Sequence, residues 1–149
     1  RWREAAAAYH EAIAIHPGHA GAHHNLGVVR QALGDTARAM AAYRRALERV
    51  PDHAITLTNL GSLLLEAGEL TEAEPLLRAA IQAQPDYAKP RLYLADLLAR
   101  RQAPEAEAAY QVALACDPGW AQALSHWGAW LTRAGRWAEA EASLRAALD

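Results

Sequence analysis

Four prolines, Pro17, Pro51, Pro85 and Pro118, stand 34, 34 and 33 residues apart. Between them one small-residue signature returns in phase. Leu60-Gly61, Ala73 and Ala80 have counterparts in Leu26-Gly27, Ala39 and Ala46, and again in Leu94-Ala95, Ala106 and Ala113. Self-similarity at a fixed period of this size belongs to stacked arrays of short supersecondary units. Each unit buries one face alone and needs a neighbour to cover the other.

The stretch from Ala54 to Pro85 shows what one unit is. Two amphipathic segments flank Ala67-Gly68-Glu69, and a proline stops the second. Leu57, Leu60 and Leu64, then Leu76, Leu77, Ala80 and Ile81, recur at the spacings of a helix face. Composition agrees: the chain holds 38 alanines and no phenylalanine. Alanine is the best helix former, and a sheet would need the β-branched and aromatic residues that are scarce here. The expected fold class is all-α, a solenoid of antiparallel helix pairs.

In chain order, Arg1-Trp2-Arg3-Glu4-Ala5 matches Arg136-Trp137-Ala138-Glu139-Ala140, which opens the second helix of a pair. Residues 1–17 therefore read as the second helix of a truncated repeat. Residues 18–51, 52–85 and 86–118 read as full repeats, and 119–149 as a last, truncated one, the whole forming a single array. Both ends read as cuts in a longer array, so self-association through their bare apolar faces is expected. Gly34-Asp35 supplies a turn and an N-cap, and Gly68-Glu69 and Gly135-Arg136 occupy the same place. The third pair has Arg101-Gln102-Ala103-Pro104 there, without the glycine and one residue shorter. That puts Pro104 in the first turn of its helix, as Pro90 is in the helix before it. For Pro75, a late helix start at a Thr71/Glu74 capping box is favoured over a start at Glu69, in which the proline would kink the helix.

A net charge of −2 with both signs interspersed lacks the basic footprint of a nucleic-acid binder. No apolar run approaches the roughly 20 residues of a membrane span, so no insertion is expected. The lone Cys116 excludes an internal disulfide and has no basic neighbour to activate it. No leader is visible, and the cytoplasm is the favoured compartment. His16, His19, His23 and His24 invite a metal reading, but His19 shares its repeat position with His53, Tyr87 and Trp120. That makes it a ring packed between repeats, with no carboxylate or cysteine at ligand spacing. Four of the five tryptophans, Trp120, Trp127, Trp130 and Trp137, crowd the last repeat, and Trp127 and Trp130 read as core. Neither a nucleophile elbow nor a phosphate loop nor a pair of acids in contrasting settings occurs. No metal, no cofactor and no enzymatic activity are expected of this segment.

The recurrences resemble the tetratricopeptide repeat family, a helix–turn–helix with Leu-Gly in its first helix, Ala-x3-aromatic-x2-Ala in its second and a closing proline. Leu26-Gly27 with Ala39, Tyr43, Ala46 and Pro51 fits, and Leu60-Gly61 with Ala73, Leu77, Ala80 and Pro85 puts leucine for the aromatic. Leu94-Ala95 with Ala106, Tyr110, Ala113 and Pro118 puts alanine for glycine. Trp127-Gly128 with Ala140, Leu144 and Ala147 puts tryptophan for leucine, and Ala5, Tyr9, Ala12 and Pro17 complete the half repeat. The family's early aromatic is replaced by His23, Leu57, Arg91 and Leu124.

The resemblance implies a right-handed superhelix that serves as a protein-interaction scaffold, its first helices lining a concave groove for a peptide or partner protein. By phase, that lining is His24, Asn25, Val28, Thr58, Asn59, Ser62, Leu65, Leu92, Tyr93, Asp96, Ser125, His126 and Ala129. Asn25 and Asn59 can grip a peptide backbone, since an amide both donates and accepts. They resemble the asparagine ladder of protein O-glycosyltransferases, interrupted here by Tyr93 and His126. A substrate-recruiting arm of such a larger enzyme and a self-assembling structural array therefore stay open as alternatives. The five-residue clamp by which some relatives hold a chaperone's terminal carboxylate falls on His24, Val28, Asn59, Lys89 and Tyr93, where only two of five residues survive.

Overall fold

A computed structural model describes residues 1–148 as nine α-helices, with no strand among the described residues. The chain divides into two compact units, Arg1–Gln84 and Pro85 onward. The first holds α1 (Trp2–Ile15), α2 (Ala20–Ala32), α3 (Thr36–Leu47), α4 (Ala54–Ala67) and α5 (Leu70–Ala83). The second holds α6 (Lys89–Arg100), α7 (Ala106–Cys116), α8 (Ala121–Arg133) and α9 (Trp137–Ala146). Helices pair in sequence, α2 on α3 and α4 on α5 in the first unit, α6 on α7 and α8 on α9 in the second. Pairs are linked through α3 to α4 and through α7 to α8.

Small residues set how closely the paired helices approach. A Cβ added to Gly27 would lie 2.5 Å from the Tyr43 ring, one on Gly61 2.8 Å from Leu77, and one on Gly128 2.7 Å from Leu144. In these three pairs the side chain at the aromatic position of the second helix thus lies against the bare backbone of the first. Ala39, Ala73, Ala80 and Ala113 are wholly buried on the opposing helices.

Turns follow the glycines. Gly34, Gly68 and Gly135 adopt φ of 76°, 85° and 75°, and Asp35 Oδ1 caps α3 by accepting the Arg38 N–H at 3.3 Å. At the glycine-less turn, Gln102 takes φ 55°, the one non-glycine described residue in the left-handed region. Two proline expectations fail. Pro104 precedes α7, which starts at Ala106 with Glu105 as its N-cap, because the shortened turn uses Ala103 to Glu105 before the helix can begin. Pro75 lies inside α5, and no capping box forms. The Glu69 carbonyl already accepts the Glu72 and Ala73 N–H groups, so Glu69 is the N-cap and the helix starts at Leu70, in the phase that buries Ala73, Leu77 and Ala80. Pro75 itself is exposed, as is Thr71, whose carbonyl loses the bond that residue 75 would otherwise give.

The polar substitutes His23 and Arg91 turn out to have a shared task. His23 Nε2 contacts the Pro17 carbonyl at 2.8 Å, and an Arg91 guanidinium N–H donates to the Pro85 carbonyl. Each ties its helix back to the proline of the preceding turn. His19 is also not a ring packed between repeats. It is exposed, and its Nδ1 caps α2 by accepting the Ala22 N–H at 3.1 Å. In the second unit Trp127 and Trp130 stack with centroids 5.0 Å apart, against a core of Leu92, Ala95, Tyr110, Ala113 and Ala123. Trp137 is 67% exposed. Among the described residues no helix is long and apolar enough to cross a membrane.

Candidate binding face

The lining expected from phase falls on α2 and α4 in the first unit and on α6 and α8 in the second, and the side chains there separate into two kinds. Thr58, Ser62 and Leu65 are 0%, 6% and 4% exposed, and Leu92 is 0% exposed. These four are packed away from solvent and do not line an open surface. Thr58 and Ser62 can be buried because each hydroxyl donates within its own helix, to the Ala54 carbonyl at 2.7 Å and the Asn59 carbonyl at 2.9 Å. Leu92 belongs to the core of its unit.

His24, Asn25, Val28, Asn59, Tyr93, Asp96 and His126 stay at least partly accessible. In the first unit Tyr43, rising from α3, organises the arrangement. Its hydroxyl donates to Gln31 Oε1 at 3.0 Å and accepts from Asn59 Nδ2 at 3.4 Å. Burial pushes the Tyr43 phenol up to about 12, partly offset by the Asn59 hydrogen bond, so it remains neutral. Asn59 is thus engaged, whereas the Asn25 amide is exposed and has no hydrogen-bond partner among the described residues. Val28, one turn on, is 37% exposed.

His24 joins a second cluster. Its Nδ1 lies 2.7 Å from Thr56 Oγ1, and His53 Nδ1 lies 2.6 Å from the same oxygen. A hydroxyl has one proton to give, and His53 Nδ1 also accepts the Thr56 backbone N–H at 3.3 Å. Thr56 therefore donates to His53, and His24 donates its Nδ1–H to Thr56. Burial, joined by the charge of His53, pushes His24 below its ordinary pKa.

In the second unit Asp96 is the hub. Its Oδ1 accepts the Tyr110 hydroxyl at 2.6 Å, and its Oδ2 accepts His126 Nδ1–H at 2.7 Å. Burial first, then the Asp96 charge and hydrogen bond, raise the Tyr110 phenol far above its usual range, while Arg133 and Arg100 act in the opposite direction. The hydrogen bond to Asp96 raises His126. Asp96, Arg100, Tyr110, Ser125, His126, Ala129 and Arg133 surround an open cavity of about 290 Å³.

Two features of these sites go beyond the sequence reading. Tyr43 and Tyr110 are packing aromatics whose hydroxyls also anchor polar side chains of the face. The signal was available, since a chain without phenylalanine uses tyrosine even at its buried aromatic positions. Arg100 and Arg133 hold the same place in successive pairs, 33 residues apart, and that recurrence was legible as well.

Among curated protein sequences none matches the chain. Solved structures match it closely in shape at low identity. MamA from Desulfovibrio magneticus RS-1 is 22% identical with a TM-score of 0.85, over 99% of this chain and 84% of that one. YrrB, described as a TPR protein with an unusual peptide-binding site, is 22% identical with a TM-score of 0.78, over 99% and 77%. PilF of Pseudomonas aeruginosa is 23% identical with a TM-score of 0.81, over 94% and 64%. The tetratricopeptide repeat family model matches residues 1–54, 26–88 and 58–121. With the repeating signature, the paired helices and these matches in agreement, the chain belongs to the tetratricopeptide repeat family, and its fold is the all-α solenoid of that family.

Proposed function

We propose that the chain is a protein-interaction module that binds an extended peptide segment of a partner along the first helices of its repeats. The observation that carries this reading is Asn25: an exposed amide without an internal partner, beside the exposed Val28. An extended strand gives up hydration of its backbone on docking and needs a group that both donates and accepts to replace it. Asn25 is such a group, and Asn59 presents its amide oxygen while its nitrogen is held by Tyr43. Val28 supplies an apolar contact for an alternating side chain. The peptide-binding site named for YrrB, a protein of the same fold, adds support.

The test is titration with peptides selected from a random, C-terminally amidated library. Each hydrogen bond lost costs about 0.5–1.5 kcal/mol, so the Asn25→Ala/Asn59→Ala double variant binds such a peptide about 5- to 150-fold more weakly. Asn25→Ala alone changes folding stability by no more than about 0.5 kcal/mol. Equal binding by parent and double variant removes the asparagines from recognition.

A further inference from the structure

We infer that the groove between α1 and α3, floored by α2, docks an amphipathic helix of a partner protein whose apolar stripe is flanked by acidic residues. This surface goes beyond the first-helix face proposed above and is separate from it: α2 gives His23, Leu26 and Arg30 to the groove, whereas Asn25 and Val28 are not part of its lining. α1 packs on α2, and α3 packs on α2 and α4. Two cavities of about 270 and 480 Å³ open between them and meet at His10 and Arg30.

Three observations select the occupant. The first is shape. Arg3, Ala6, His10 and Ile13 on α1 stand across from Arg38, Ala41 and Arg45 on α3, each set at the spacing of one helix stripe. Neither cavity takes a helix with its backbone, so the occupant lays only one side of itself in. The second is the floor. Leu26 lines one cavity and Leu33 the other, seven residues apart. Side chains that reach both stand about 10 Å from each other, the separation of i and i+7 in a helix.

The third is charge. Asp35 is the one acidic residue among those lining the cavities, and Glu48 pairs with Arg45 from outside, at 3.1 Å. Arg3, Arg30, Arg38 and Arg45 against these two carboxylates leave two positive charges, to which protonation of His10 or His23 only adds. Glu4 and Glu11 of α1 line neither cavity. The excess is local: through Val50 the chain has seven arginines against four acidic residues, and beyond it eight basic residues against thirteen acidic ones. Nor do the existing pairs exhaust the guanidiniums. Arg38 reaches Asp35, and Arg45 reaches Glu48, through Nη1 alone. Their other side-chain N–H groups make no bond among the described residues and are open to a second carboxylate. Arg38 and Arg45 are themselves seven residues apart, so one acidic flank of the same docked helix meets both. A recessed apolar floor suits inserted side chains rather than a flat lipid surface. Without tyrosine or tryptophan in its lining, the groove offers nucleic-acid bases little to stack on.

The experiment presents the whole chain with acetylated, amidated helical peptides on beads. One library fixes leucine at i and i+7 and varies the flanking positions among Asp, Glu, Lys, Arg and Gln; a second has alanine at i and i+7. Phosphatidylserine vesicles and a single-stranded oligonucleotide are offered in parallel. The expected result is retention of the leucine library only, with Asp or Glu enriched on one flank. Arg38→Gln/Arg45→Gln removes the acidic preference and weakens the best peptide about 2- to 30-fold, as loss of two exposed ion pairs does. Ala41→Trp, which fills the groove from an exposed position, abolishes retention. Thermal melting at the parent's midpoint excludes a folding defect; should Ala41→Trp melt early, the exposed arginine pair decides alone.

Retention without acidic preference, retention that survives the groove variants, or no retention of the leucine library overturns the docking groove. Binding of vesicles or oligonucleotide through Arg38 and Arg45, with no peptide retained, overturns it equally. Retention lost in Asn25→Ala/Asn59→Ala but kept by the groove variants places the peptide on the first-helix face, which sinks this inference and leaves the proposed function standing.

Discussion

His24 and His126 answer acid in opposite directions. His126 holds its proton more tightly folded than unfolded because Nδ1–H donates to Asp96. The stability this pair adds is complete below the ordinary histidine value of about 6.5 and is lost as pH rises through the raised folded value. His24 is disfavoured as a cation by burial and by His53. Its contribution is complete above about 6.5 and falls as pH drops from there toward the lowered folded value. Urea unfolding of His126→Gln should therefore show a stability deficit that is largest near about pH 6 and shrinks toward about pH 8.5. The deficit of His24→Asn should shrink in the other direction, on going from about pH 7 to about pH 5. At the same scale, Gly27→Ala pushes a methyl into the Tyr43 ring, and overpacking of this kind costs about 1–3 kcal/mol. Equilibrium unfolding measures it, and a cost near zero would mean that the ring moves aside freely. Leu60→Ala, at a site 2% exposed, loses about 2–5 kcal/mol by the same measurement.

At the scale of the element, what the sequence made legible was phase. Leu-Gly, the spaced alanines and the prolines locate the helices, because each marks a place where backbones meet or a chain must turn. Phase assigns residues to a helix face but does not say what lies over it. Leu65 and Leu92 share the face of Asn59 and Tyr93 and are nonetheless buried. Thr58 and Ser62 looked polar enough for solvent, yet their hydroxyls are satisfied by the carbonyls of their own helix. Pro75 lies within its helix for a related reason: local capping chemistry at Thr71 and Glu74 is outweighed by the burial of Ala73, Leu77 and Ala80, which goes with the earlier start. The turn without a glycine was visible, but not its consequence, the left-handed Gln102. A side chain there costs about 1–2 kcal/mol in backbone strain, and glycine gives back part of that through its greater freedom when unfolded. Gln102→Gly should accordingly stabilise the chain by up to about 1 kcal/mol, read from the midpoint of denaturant unfolding. Destabilisation would show that contacts of the glutamine side chain outweigh its strained backbone.

Across the whole molecule, burial is unevenly shared among the helices. Ten residues of α4 are buried, against Ala6 alone in α1 and Ala140 and Ser143 in α9. Arrays of this kind draw their stability from neighbouring contacts rather than one central core, and local opening is easiest where such contacts are few. Amide hydrogen exchange should be slowest in α4 and fastest in α1 and α9, and uniform protection along the chain would contradict this gradient. The tryptophan stack has a spectroscopic consequence. Apart from Trp2, every indole of the chain lies beyond Pro85, with Trp127 and Trp130 face to face at 5.0 Å. Intrinsic fluorescence on melting is thus almost wholly a signal of the second unit, while circular dichroism weighs all the helices. The gap between the two midpoints measures, without any added label, how far the first unit melts on its own.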